Sequence, residues 1–157
     1  MSYESVRNDL AQRAPDLSII EAEQSTATVI EAAAALGVTP GQIAKTLALR
    51  VNERVVLVVA RGDARLDNQK TKAALGGKPR MLDADQTLAA TSHPVGGVSP
   101  FGLPAPLPIY CDVSLRAFAT VFPAAGSRNS SVEVATDRLA TLLDAEWVDI
   151  CGPPADG

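Results

Sequence analysis

Lys45 opens an otherwise apolar face of the segment IAKTLALRV. If that segment is a strand, its side chains alternate, and Lys45 shares a face with Leu47, Leu49 and Val51. A cation there either snorkels to solvent at the strand end or stands at the mouth of a pocket. In the pocket it can neutralise a phosphate or a developing oxyanion. A second candidate is the Gly96-Gly97 pair in SHPVGGVSPFG. Glycine admits positive φ and lets a ligand approach the backbone, so successive N–H groups can converge on one oxygen. Pro94 and Pro100 bracket the pair and favour a preformed loop, and preorganised donors cost little reorganisation when charge develops. The competing reading is a tight turn between strands. The surroundings favour the pocket. Gln86 to Cys111 contains no Asp, Glu, Lys or Arg, and residues 91–108 hold five of the chain's eleven prolines. An uncharged setting strengthens hydrogen bonds to a bound oxygen, so this stretch reads as a rigid wall.

Other reactive side chains are sparse. His93 is the only histidine and no G-x-S-x-G elbow is present; a lone histidine beside a proline turn reads first as a structural hydrogen-bonder. Ser127 and Ser131 in GSRNSSVEV either line a pocket or bond the local backbone as turn residues. Cys111 and Cys151 lie forty residues apart with no histidine at ligand spacing, which reads as two buried thiols in a reducing cytoplasm, with no metal and no cofactor. The formal charge is −4, which argues against non-specific adhesion to DNA or other nucleic acid. Charge is uneven, however: residues 61–80 carry Arg61, Arg65, Lys70, Lys72, Lys78 and Arg80 against Asp63 and Asp67. Such a patch can hold a polyanion at one place; alone, it would equally be a solvated helix face.

The elements that must position these residues follow from pattern. At 157 residues, with 46% hydrophobic and 20% charged, one globular domain over 1–152 is expected, with 153–157 as a loose tail. The N-terminus has no basic and apolar leader pattern and no apolar run reaches membrane length, so a cytoplasmic protein is expected. Ser2 is placed as the cap of a helix over Tyr3 to Arg13, Leu17 to Glu21 as a short strand, and Thr26 or Thr28 as the cap of VIEAAAAL, which stops at Gly37. Residues 45–51 and VVLVVA read as paired strands, the second covered on both faces. Asp67 and Asp83 start helices. Ile109 to Asp112, VFPAA, SVEVA and WVDI read as strands, 114–118 as a helical turn, and Thr136 as the cap of DRLATLLDA. The order lacks a strict βαβ rhythm, which indicates α+β with a mixed sheet.

Three segments together, LGVTPGQIAKTL (36–47), SHPVGGVSPFG (92–102) and AGSRNSSVEVATDRLATLLDAEWVDI (125–150), resemble the YbaK/prolyl-tRNA-synthetase-associated domain family. That resemblance spans about Ile19 to Ile150. It implies a compact α+β domain with a mixed, partly barrel-like sheet flanked by helices. It also implies hydrolysis, without a metal, of the ester joining a wrong amino acid to the 3′ end of a tRNA, commonly a proline tRNA. The family's essential lysine matches Lys45, and its amide-bearing loop matches Gly96, Gly97 and Val98. Substrate-side positions fall on Thr26, Thr28, Thr46, His93, Ser99, Gly126, Ser127 and Ser131, and Arg61, Arg65, Lys70 and Lys72 would meet the tRNA backbone. A mischarged aminoacyl-tRNA is the implied partner, with prolyl-tRNA synthetase as a second. Ser131 stands where the cysteine-editing branch carries an aspartate, and Thr28 where it carries an aromatic, so alanine, serine and threonine are alternatives to cysteine. A non-catalytic tRNA- or synthetase-binding module of the same fold would carry the same motifs.

Overall fold

A computed structural model describes residues 2–152; the expected tail over 153–157 lies outside them. Its organising element is a hairpin of two long strands, β2 (Ile43–Val51) and β3 (Arg54–Arg61), antiparallel along their whole length. Their turn is Asn52-Glu53, both residues at positive φ (49° and 67°), as a two-residue hairpin turn that follows the strand twist requires. The Asn52 side chain donates to the Gly76 carbonyl at 2.7 Å, which fixes this turn on the end of a helix. In β3, Val56 to Ala60 are at most 1% exposed. Both faces are therefore covered, as the continuous apolar run implies.

Around this hairpin a seven-stranded sheet takes the order β8-β6-β2-β3-β5-β9, with β4 also on β2. Here β4 is Arg80–Met81, β5 Ile109–Asp112, β6 Thr120–Pro123, β8 Val134–Ala135 and β9 Glu146–Val148. A separate pair joins β1 (Ile19–Glu21) to β7 (Ser130–Val132). The β2–β6, β3–β5 and β5–β9 pairings are parallel and the others antiparallel, a mixed sheet that curls into a half-barrel. Helices α1 (Ser2–Arg13) and α5 (Thr136–Leu143) close one side through Val6, Leu10, Leu139 and Leu143, packed with Phe101 in the main core. Each such fully buried side chain contributes about 1.5–3 kcal/mol. On the other face Leu49, Val51, Val56, Val58 and Ile150 form a second core.

Capping explains the remaining helices. Thr28 accepts from the Glu31 amide at 3.1 Å and starts α2 (Val29–Leu36), which ends at left-handed Gly37. Asp67 starts α3 (Asn68–Leu75), and Asp83 starts α4 (Ala84–Thr91) through a capping box with Gln86. Three local expectations need correction. Ser2 lies inside α1, and its hydroxyl reaches His93 and the Gly126 carbonyl instead of capping the helix. Thr136 also begins inside its helix and donates to the Phe118 carbonyl at 2.6 Å. SVEVA divides into β7 and β8 rather than forming one strand. The two-residue β4 is too short to register as a pattern, yet it helps define the site.

Candidate functional site

Strand β2 carries a gap on one side. β6 pairs only with Ile43 and Ala44, β4 pairs only with Leu49 and Arg50, and no strand borders the residues between. A cavity of about 280 Å³ occupies that gap. Its floor is the first half of β2, including Lys45 and Thr46. Its far walls are the start of α2, the Met81-Leu82 segment with Thr87 of α4, and the loop holding Val95, Gly96 and Val98.

Lys45 is half-buried, and its ammonium donates to the Ala64 carbonyl. Burial pulls its pKa below the ordinary lysine value, with the nearby Asp63 carboxylate acting in the opposite direction. The lysine thus reaches the cavity already anchored and partly stripped of water, the setting in which a cation interacts most strongly with an oxyanion. Gly96 sits at φ +96°, which L side chains rarely adopt, and the Gly97 amide turns back to the Pro94 carbonyl at 3.0 Å. That commitment corrects the expectation that Gly97 presents an amide to substrate. Gly97 instead permits close approach, since a methyl there would fall 2.8 Å from the Ser127 carbonyl. Arg128 donates to the Val95 carbonyl at 3.2 Å, so the β6–β7 connection holds this loop from outside.

Of the other expected substrate positions, Thr26, Thr28, Thr46 and Ser131 line the cavity. The Thr26 and Thr46 hydroxyls are buried without a hydrogen-bond partner, at a cost that a bound polar group would remove. His93, Ser99, Gly126 and Ser127 do not line it. His93 is fully buried between Ser2 and the Phe101 carbonyl. Ser99 accepts from the Phe101 amide at 3.2 Å. Gly126, at φ +91°, faces Ser2, and Ser127 bonds Asn129 and Ser130 within its own turn. The backbone-contact set also divides. Arg61 forms a two-pronged pair with Asp63, at 2.5 and 2.9 Å, and stacks 4.9 Å from the Phe118 ring centre. Lys70 reaches Asp149 and the Cys151 carbonyl, both at 3.2 Å. Arg65 and Lys72 are exposed and make no ion pair among the described residues. Arg65 lines a shallow groove that shares Leu47 and Met81 with the cavity.

Sequence reasoning missed Leu47, Met81, Leu82, Thr87 and Val95 as lining residues. None carried a signal of its own: four are ordinary apolar residues, and Thr87 is one hydroxyl on a helix read from its cap. Among the described residues no group of histidine, cysteine and carboxylate could hold a metal, and burial pushes both cysteine thiols up to about 12.

This α+β half-barrel is the fold of solved structures of similar sequence, and the sequence matches the aminoacyl-tRNA editing domain family over residues 23–142. The chain belongs to the aminoacyl-tRNA editing domain family. It is 44% identical over 153 residues to the uncharacterised protein YwhH of Bacillus subtilis, covering 96% of this chain and 98% of the relative. It is 30% identical over 120 residues to a protein of Enterococcus faecalis named as a candidate Cys-tRNA(Pro)/Cys-tRNA(Cys) deacylase, covering 75% and 73% respectively. A solved structure described as a candidate trans-editing enzyme for prolyl-tRNA synthetase superposes with a TM-score of 0.90 at 31% identity, covering 97% of this chain and 98% of that one. No helix of the described residues is long and apolar enough to cross a membrane.

Proposed function

We propose that this domain hydrolyses the ester of a tRNA carrying a small non-cognate amino acid, acting in trans on proline tRNA. The observation that carries the reading is the convergence of Lys45, Gly96 and Val98 on one cavity of about 280 Å³. That volume accommodates a small aminoacyl group. In this reading the Lys45 ammonium meets the terminal phosphate or ester oxygen, and the Gly96 and Val98 amides face the acyl oxygen. Water adds to the acyl carbon, the C–O bond to the ribose breaks, and a proton passes to the departing ribose oxygen. The ester is already activated, so positioning and oxyanion donors supply the acceleration; one such donor is worth about 10²–10³ in rate. The polar-lined but mainly apolar cleft favours alanine, serine, threonine or cysteine. The work would be done in the cytoplasm, with no metal or cofactor, with prolyl-tRNA synthetase as the companion that delivers the tRNA.

The test is single-turnover hydrolysis of tRNA(Pro) charged with each of these four amino acids, by wild type and Lys45→Ala. Release of at least one amino acid by wild type, lost in a folded Lys45→Ala, supports the proposal. Binding without release across the panel would favour a non-catalytic module, and full turnover by Lys45→Ala would refute the lysine's role.

A further inference from the structure

The gap in β2 exposes main chain as well as side chains. The Ala48 carbonyl accepts from the Leu82 amide at 3.1 Å, on the β4 side. Backbone groups alternate along a strand, so Thr46, two residues earlier, turns its own N–H and C=O to that same side. β6 ends its register at Ala44 opposite Pro123, and β4 begins at Leu49 opposite Met81. Thr46 is left facing the cavity with no strand opposite it, and its hydroxyl is likewise buried without a partner. Unpaired main-chain groups inside a sheet are costly and mark a place where another chain segment can pair.

We infer that the Thr46 main chain seats the substrate's α-amino group, its carbonyl accepting an N–H from the amino nitrogen while the acyl carbonyl points toward the Gly96 loop. The inference rests on the deacylase reading and specifies its substrate class: esters of acids that carry a donor on the α carbon. One residue's length is what the gap offers, because the next edge carbonyl, Ala48, is already bonded to Leu82. A single aminoacyl group fits that length, whereas an extended peptide would need a longer run of free edge. Lys45 does not compete for the seat: its ammonium is already engaged with the Ala64 carbonyl.

Two measurements test this. In the first, tRNA(Pro) is charged with alanine, serine, threonine or cysteine, and separately with their deamino counterparts, propionic, 3-hydroxypropionic, 3-hydroxybutyric and 3-mercaptopropionic acid. Each enzymatic rate is divided by the buffer hydrolysis rate of the same ester, which removes the inductive effect of the amine. Loss of one hydrogen bond predicts a fall of roughly tenfold to hundredfold in the normalised kcat/KM of each accepted acid. Equal normalised rates overturn the Thr46 seat and leave the deacylase intact; no hydrolysis of any aminoacyl ester removes both. In the second, a crystal structure with 3′-alanylamino-3′-deoxyadenosine, which cannot be hydrolysed as an ester, is expected to place the amino nitrogen about 2.7–3.2 Å from the Thr46 oxygen. An amino group bonded elsewhere overturns the assignment.

Discussion

The imidazole of His93 bridges two distant segments: its Nδ1 lies 2.6 Å from the Ser2 hydroxyl and its Nε2 lies 2.7 Å from the Phe101 carbonyl. The Ser2 hydroxyl also reaches the Gly126 carbonyl. The chain's single histidine therefore ties the first turn of α1 to both ends of the proline-rich loop's support. Phe101 itself is fully buried in the main core. A long neutral, proline-rich segment is thus stiff because it is core on one side and cavity wall on the other.

Removing this bridge should act on stability before activity. Burial lowers the His93 pKa from 6.5, with the hydrogen bond to Phe101 opposing. Between the lowered folded value and 6.5, the unfolded chain binds a proton that the folded chain does not. Stability therefore rises with pH across that window, and the penalty is complete below the folded value. His93→Phe should lower Tm at pH 7, because it leaves buried groups unpaired at about 1–3 kcal/mol each. It should also flatten the fall in Tm between pH 7 and 5. Thermal unfolding across that range decides the matter; an unchanged slope would mean that other groups set it.

Lys45 offers the converse case, a residue held at a cost to the fold. Its folded pKa is lowered from 10.5 chiefly by burial. Between the folded value and 10.5 the unfolded chain again binds the extra proton, so folding is disfavoured while the ammonium persists and is relieved as pH rises through the window. Lys45→Met should raise Tm at neutral pH while turnover is lost, the trade expected where function keeps a charge in poor solvent. In wild type, turnover normalised to buffer hydrolysis should decline at a pH below 10.5. A Tm that falls in Lys45→Met would show the Ala64 hydrogen bond outweighing desolvation.

The two glycines should respond differently to alanine. At Gly97 the added methyl meets backbone, the Ser127 carbonyl at 2.8 Å and its nitrogen at 2.9 Å, which cannot move without shifting the β6–β7 turn. At Gly96 the nearest atoms are the Ala27 methyl at 3.1 Å and the Arg128 side chain at 3.3 Å, and the obstacle is a φ of +96°. Gly97→Ala should therefore reduce both Tm and turnover by displacing the loop. Gly96→Ala should strain this backbone and reorient the amide proposed to meet the acyl oxygen, lowering kcat by about 10²–10³ if one oxyanion donor is lost, with a smaller change in Tm. Equal loss of Tm in both would deny the distinction.

These contrasts show which features a sequence can carry. Caps and glycine stops located α2, α3 and α4, because each depends on residues a few positions apart. The apolar run of β3 announced its burial on both faces. Lys45 was visible because one cation interrupts an alternating face. By contrast, the gap in β2 depends on where β4 and β6 stop, at Leu49 and Ala44, and no local pattern encodes the length of a neighbour's pairing. His93 likewise could not be placed outside the cavity from sequence alone, because its partners Ser2 and Phe101, and Gly126 beyond Ser2, come from separate parts of the chain.

Charge offers the last contrast, since the six cations of residues 61–80 are not equivalent. Arg61 and Lys70 already neutralise Asp63 and Asp149, whereas Arg65 lies in the groove that continues from the cavity past Leu47 and Met81. Across β2 and β4, Arg50 and Arg80 stand directly opposite each other, an arrangement that destabilises a strand pair unless an anion relieves it. Arg65→Ala and Arg80→Ala should therefore weaken tRNA binding and reduce the slope of log K against log salt by about one unit for each phosphate that is no longer neutralised. Arg61→Ala should instead lower Tm by removing its pair with Asp63 and its stacking on Phe118, with little change in that slope. Filter binding of uncharged tRNA(Pro) across a salt series, beside thermal unfolding of the same variants, separates the two classes. A slope that responds to Arg61 and ignores both Arg65 and Arg80 would overturn this division of the cations.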